Sequence, residues 1–296
     1  MIGPEHEAAR AGEPGAAGFG DAVTFAFGDP SHGIYGSARL GLVPGEPLRA
    51  SALGLLFRGG DLVAVDAIGA VELPGADWTA LEVGDVRATV ERPLEAWTVA
   101  YDGDDGGFEL RFQALGEPAE LGSGAVAASA AGLQGYEQLC TVTGTVRCGE
   151  ERTRVQCLGQ RGHQWGAPDW ERIALARTVA AWFDDGSGVA LASVRPDDAA
   201  SHADEAVTAC LIREGHVTAV ADPRLSTTLD EAGRQRSASL ELWVEQDDRS
   251  FVHRAAGEAV CGTTLDLGRL RLDCAFFTWR MDGFQGVGRY DVLRRA

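Results

Sequence analysis

A chain of 296 residues with 45% hydrophobic side chains can bury a sizeable core, as one large all-β domain or as two smaller ones. Its formal net charge of −18 argues against general electrostatic attraction to nucleic acid or to an anionic membrane. No uninterrupted apolar run approaches transmembrane length, so membrane insertion is not expected.

The opening Met1 to Gly20 is rich in Gly, Ala, Glu and Pro and carries no apolar h-region, so it reads as a disordered tail and not as a signal peptide. From Asp21 onward, short apolar or alternating runs are separated by Gly/Asp/Pro turns, the signature of a β-rich fold. Trp97, Val99 and Tyr101 alternate with small or polar neighbours, and Phe108, Leu110 and Phe112 alternate with Glu109, Arg111 and Gln113. Between them lies the Asp102–Gly107 turn. It begins like a calcium loop, but the twelfth position is Gln113 and the flanks are strands, so a hairpin explains it. The Ala/Gly/Ser-rich stretch from Leu121 to Gly135 reads as a linker. A second hairpin runs from Leu139 to Leu158 around a Gly149–Glu150 turn. No stretch shows a capped helical period over three turns, so helices are expected to be few.

That hairpin delivers the chain into the segment from Gly159 to Trp170, Gly-Gln-Arg-Gly-His-Gln-Trp-Gly-Ala-Pro-Asp-Trp. Large aromatics rarely crowd a plain connector. Glycines and Pro168 restrict and shape the backbone, so the segment reads as one that aims His163, Trp165, Asp169 and Trp170 at a particular space, either a ligand pocket or a buried seam. Further along, Phe183–Arg195 echoes Phe27–Arg39, and Leu211–Ala221 echoes Leu56–Asp66, at nearly the same spacing. Two matches in register point to duplication of a β unit and to two similar barrels or sandwiches.

Several chemistries are missing. There is no Gly-x-Ser-x-Gly elbow, phosphate loop or His-Glu-x-x-His pair. Gly283–Gly288 is glycine-rich but lies among strands, where it lets the last strand bend and pass close to an aromatic. The cysteines (Cys140, Cys148, Cys157, Cys210, Cys261, Cys274) lack ligand spacing, and His6, His32, His202, His216 and His253 are scattered. No metal, no cofactor, no disulfide and a reduced, cytoplasmic setting are therefore expected.

Tyr136-Glu-Gln, Thr143-Gly-Thr-Val and the Gly159–Trp170 string together resemble the lipocalin-like family of carotenoid hydratases, which includes lipocalin-type Diels–Alderases. The resemblance implies paired lipocalin-like β-barrels and an apolar pocket for a polyene, terpenoid or polyketide-like substrate. It places His163 for acid/base work, with Trp165 shaping the substrate. Two departures stand out: the family's aspartate before the histidine is Gly162 here, and the Tyr-x-Asp pair on the following strand is replaced by Gly188–Ser193, which has no carboxylate. Both count against water addition to an alkene, since protonating C=C needs a strong, well-placed acid.

The expectation is an all-β protein of two lipocalin-like halves related by duplication, with a tail over 1–20, a first domain over 21–130 and a second over 131–296 carrying the motif. His163 is the candidate acid/base, oriented by Glu137 or Asp169. Trp165, Trp170, Tyr136, Trp97 and Trp182 are the candidate substrate contacts. Two functions stay open: an enzyme acting on an apolar small molecule at a C=C or carbonyl or by templated cyclisation, and a non-catalytic carrier of a lipid-like ligand in which the motif only braces the barrel.

Overall fold

The computed structural model describes residues 2–10, 18–75, 77–122, 124–201, 204–246 and 249–296. Among these the chain is almost entirely antiparallel β-sheet, in two compact units that it enters alternately: residues 1–120 and 134–168 form the first, 121–133 and 169–296 the second.

The first unit contains β1 (Gly20–Asp29), β2 (Ile34–Val43), β3 (Leu48–Arg58), β4 (Asp61–Leu73), β5 (Ala80–Val83), β6 (Val86–Arg92), β7 (Ala96–Asp102), β8 (Gly106–Ala114), β9 (Ala119–Glu120), β10 (Leu133–Cys148) and β11 (Glu151–Gly166). Their order, β4-β3-β2-β1-β11-β10-β8-β7-β6-β5, rolls into a nearly closed barrel, with β9 paired to β10. Both expected hairpins form. Asp102 pairs with Gly107 across the β7–β8 turn, and β10 returns as β11 through Gly149, whose φ of 58° suits glycine. The period-two pattern decides what faces inward. Phe108, Leu110 and Phe112 join Phe25, Phe27, Trp97, Val99 and Tyr101 in one apolar core, while Glu109 is exposed. Each fully buried phenylalanine there contributes about 1.5–3 kcal/mol relative to exposure.

The second unit contains β12 (Ile173–Phe183), β13 (Gly188–Pro196), β14 (Ala206–Arg213), β15 (His216–Ala219), β16 (Asp222–Leu229), β17 (Gln235–Gln246), β18 (Arg249–Asp266), β19 (Leu270–Met281) and β20 (Phe284–Arg295). Its order, β15-β14-β13-β12-β20-β19-β18-β17-β16, repeats the first: three successive antiparallel neighbours on one side of the opening strand, and the closing strand on the other. The echoed segments take equal places. Phe27 near the end of β1 pairs with Gly159 of the closing strand, and Phe183 at the end of β12 pairs with Gly286. A Cβ on Gly286 would lie 2.6 Å from the Phe183 ring, which accounts for the glycines of the last strand.

Three boundaries differ from expectation. The division falls at 120/121 and again at 133/134 and 168/169, because β11 zips onto β1 and carries the His163 hairpin into the first unit. The Leu121–Gly135 linker contains α1 (Val126–Ala131), a short alanine-rich helix closed by Gly132 at φ 66°. Part of the expected tail is also built in: Pro4–Glu7 forms a 3₁₀ turn whose Glu7 is only 5% exposed. Met1, residues 11–17 of that tail, and His202 lie outside the described residues. No helix among the described residues is long and apolar enough to cross a membrane.

Candidate functional site

Strand β11 builds the site by its register on β1. Arg161 faces Phe25, His163 faces Val23 and Trp165 faces Asp21, so alternate residues of the motif enter the barrel beside alternate residues of β1. Tyr136 joins from β10 and Trp97 from β7, both at most 1% exposed. The cluster lies against an apolar floor in which the Phe25 and Phe112 rings stand 5.2 Å apart.

His163 is 1% exposed, and its Nε2 lies 2.6 Å from Asp21 Oδ1. The other oxygen of Asp21 accepts from Trp78 Nε1 at 3.0 Å and from the Arg10 backbone N–H at 2.7 Å. Held in this way, the carboxylate is set to accept from the imidazole. In a neutral imidazole so placed the hydrogen sits on Nε2 and Nδ1 presents its lone pair. Nδ1 looks toward the Tyr136 hydroxyl at 3.5 Å, the edge of hydrogen-bond reach. Trp78 and Trp165 stand edge-on to the imidazole at 5.9 and 5.2 Å.

Next to this pair is a second charged group. Tyr136 donates to Glu7 Oε1, and Arg161 donates to the same oxygen through Nη2 and to the Tyr136 hydroxyl through Nη1 at 3.0 Å. Trp97 Nε1 donates to Glu7 Oε2 at 2.6 Å, and the Arg161 guanidinium lies 4.1 Å from the Trp97 ring centre. Burial pushes the Tyr136 hydroxyl well above the ordinary phenol range; the Arg161 charge opposes this and Glu7 adds to it. Tyr136 is thus a neutral donor at cellular pH. Burial works against the Arg161 charge, but Tyr136 and Glu7 beside it more than offset that, and its pKa is raised. Together these groups can hold a proton on Tyr136, accept one at His163 Nδ1, and bind an oxyanion between Arg161, Tyr136 and Trp97.

The structure brings together His163, Trp165, Tyr136 and Trp97 of the expected residues. Trp165 is half-buried at the end of β11, with the Arg10 guanidinium 4.3 Å from its ring centre. The carboxylate in contact with His163 is Asp21, where Asp169 or Glu137 was expected. Asp169 is exposed and accepts from the Glu171 N–H at 3.1 Å in the turn before β12. Glu137 alternates with the inward-facing Tyr136 and Gln138 on β10, and its carboxylate lies where a Cβ on Gly162 would clash. That contact supplies a reason for glycine at position 162: Glu137 already fills the space. Trp170 packs on Ala131, Ile173 and Val194 in the second unit. Trp182 alternates with Ala181 and Phe183, which line the second core, so it lies on the other face of β12. Neither belongs to this cluster. Asp21, Glu7, Arg161 and Trp78 were not anticipated. Arg161 was findable, because two residues before His163 on a strand means the same face. Glu7 offered no signal.

No group of three or more potential metal ligands exists among the described residues. The six cysteines are free, and burial pushes the Cys140 thiol in the barrel core up to about 12, so it is no nucleophile.

The fold has solved counterparts. An AttH-like protein of Nitrosomonas europaea superposes with a TM-score of 0.71 at 13% identity, over 93% of this chain and 91% of that one. CghA, in its structure with Sch210972, gives 0.66 at 14% identity over 94% and 89%. Kievitone hydratase of Nectria haematococca gives 0.64 at 10% identity over 99% and 93%. At such identities the likeness is one of fold, and it bears out the two lipocalin-like barrels. Among curated protein sequences none matches the chain. Residues 3–296 match the model of a domain of unknown function, DUF7064, and the chain belongs to that family.

Proposed function

We propose that the protein is an enzyme acting by acid/base chemistry on an apolar natural-product-like small molecule in its first barrel. His163 is the proton-transferring group and Asp21 its orienting partner. The observation that carries this reading is the His163–Asp21 contact of 2.6 Å inside an apolar barrel, with Nδ1 facing the Tyr136 hydroxyl, whose hydrogen goes to Glu7. A histidine that only braced a crossing segment would be fully buried with both nitrogens on backbone carbonyls, whereas a catalytic one would face an open cavity; His163 is fully buried, but its nitrogens face the side chains of Asp21 and Tyr136. The fold relatives support the substrate class: one is kievitone hydratase, and CghA was solved with Sch210972. Asp21 fixes the tautomer and stabilises the imidazolium once a proton is taken, as orienting carboxylates do. Tyr136 donates to the oxygen on which negative charge develops, with Arg161 behind it. Trp165 and Trp97 wall the space as substrate contacts. Enolisation, isomerisation or elimination next to a carbonyl suits this set better than hydration of an isolated alkene, because protonating C=C needs a strong acid and the carboxylates at the site, Asp21 and Glu7, are each held as hydrogen-bond acceptors.

The test begins with untargeted mass spectrometry of ligands extracted from the purified protein, followed by turnover of compounds of that class. His163→Ala is expected to lower kcat by at least ~10²-fold, the usual reach of general acid–base catalysis, with folding nearly intact. Unchanged turnover, or loss of the fold in both His163→Ala and His163→Asn, would overturn the catalytic reading in favour of a lipid-like ligand carrier braced by the same motif.

A further inference from the structure

The group that seals the site does not come from the barrel. Glu7 arrives on the N-terminal segment Gly3–Arg10, which forms no strand. The segment's backbone bonds run within itself (His6 N–H to Gly3, Ala8 N–H to Glu5), apart from the Arg10 N–H to the Asp21 carboxylate. Its side chains engage through Glu7, through His6 and Arg10 against Trp165, and through Ala9 against the edge of the barrel core. The barrel itself supplies three donors from three strands, Trp97 on β7, Tyr136 on β10 and Arg161 on β11, converging on the two oxygens of one carboxylate. We propose that this is a carboxylate receptor occupied in the closed protein by Glu7, and that the substrate is a hydrophobic molecule with an oxyanion head group, a carboxylate or an enolate, that displaces Glu7 and the segment carrying it.

Three observations carry the inference, which rests on His163 being the acid/base of the same site. The first is access: the His163 side chain is 0% exposed, so a substrate reaches it only if some element moves. The strands are locked in ladders of hydrogen bonds, whereas the Gly3–Arg10 segment makes none of these. The second is charge. Arg161 is 1% exposed and is ion-paired with Glu7. A guanidinium covered by a water-excluding ligand that brings no anion is strongly destabilised, so a hydrophobic molecule that replaces Glu7 must itself be negative. A neutral apolar ligand would displace the segment against that penalty; an anion would not. The third is position. An oxygen in the place of Glu7 Oε1 is bonded by Tyr136, whose hydroxyl faces His163 Nδ1 at 3.5 Å. The charged end of the ligand would thereby be held next to the proton-transferring group, where donors to a developing oxyanion are most effective.

The experiment uses the full chain carrying Glu7→Ala, with formate and acetate as probes and acetamide as the neutral control. Glu7→Ala is expected to lower Tm, and saturating acetate to restore at least half of the loss, while acetamide restores none and the unsubstituted protein does not respond. Adding Arg161→Gln should abolish the response. Equal effects of acetate and acetamide, or a folded Glu7→Ala protein indifferent to both, would overturn the proposal. If Glu7→Ala does not fold, Glu7→Gln keeps the shape and loses the charge. Acetate should then raise hydrogen exchange across residues 3–10 at least fivefold, and unchanged exchange would be fatal to the idea. His163→Asn added to Glu7→Ala should leave the acetate response intact. A failed response beside His163-dependent turnover would therefore sink the receptor alone, and an intact response beside His163-independent turnover would sink only the acid/base reading.

Discussion

In the second barrel, Arg177 takes the place on β12 that Asp21 holds on β1, each six residues before the echoed phenylalanine. Tyr290 faces Val179 as His163 faces Val23. Arg177 is gripped by both oxygens of Glu205, at 2.8 Å from Nε and 2.5 Å from Nη2. Thr227 and Tyr290 take its remaining Nη1 contacts at 3.1 and 3.4 Å, and Ser193 donates to Glu205 at 2.5 Å. Every partner belongs to that unit itself. The first barrel puts an imidazole where the second has a phenol, and its buried arginine takes its carboxylate from a segment outside the sheet. One scaffold thus holds a charge cluster in two ways. In the second the carboxylate is the residue directly before β14, so the sheet fixes it; in the first it comes from the Gly3–Arg10 segment, and an imidazole stands beside it.

Removing the carboxylates should expose the difference. Glu205→Ala leaves a guanidinium with only 7% of its side chain exposed and no ion partner, and should cost about 3–5 kcal/mol in chemical denaturation. Glu7→Ala should cost less, about 1–2 kcal/mol, because the freed segment lets water reach Arg161. Equal losses would erase the contrast. The closing-strand glycines should instead behave alike. A Cβ on Gly159 would lie 2.5 Å from the Ala26 carbonyl, and one on Gly286 would strike the Trp182 carbonyl, so Gly159→Ala and Gly286→Ala should each cost about 3 kcal/mol, the upper end of overpacking. A large inequality between them would mean that the duplicated strands are not equivalent.

Alkaline titration sharpens the comparison further. Burial raises the pKa of both Tyr136 and Tyr290, with a neighbouring arginine opposing in each case. A group whose folded pKa lies above its unfolded value stabilises the fold fully below the unfolded value, and that contribution is lost as pH rises through the folded one. Stability should therefore be insensitive to these tyrosines below pH ~10 and fall above it. Tyr136→Phe and Tyr290→Phe should each flatten the fall, which urea denaturation at stepped pH would read. The smallest effect belongs to Asp169→Ala. This residue is exposed and bound only to its own turn, so stability should change by no more than ~0.5 kcal/mol and turnover not at all. A loss of activity there would reinstate Asp169 as the partner of His163.

Period-two alternation, glycine turns and an internal echo are local properties of a chain, and from them the sequence by itself determined the β class, both hairpins and the duplication; that the His163 segment is a strand with one inward face came only from its pairing with β1. Asp21 could not be read in this way. It meets His163 only because β11 closes onto β1 across 142 residues of chain, and a pairing over that distance is set by the closure of the sheet and not by neighbouring residues. The same closure moved the motif hairpin into the first unit. Proximity in sequence misled for Glu137 and Asp169, since on a strand the adjacent residue faces away and a turn can send the next carboxylate into solvent. Glu7 was least legible: its segment has the composition of a solvated tail, and it is ordered through a buried arginine 154 residues away that requires an anion.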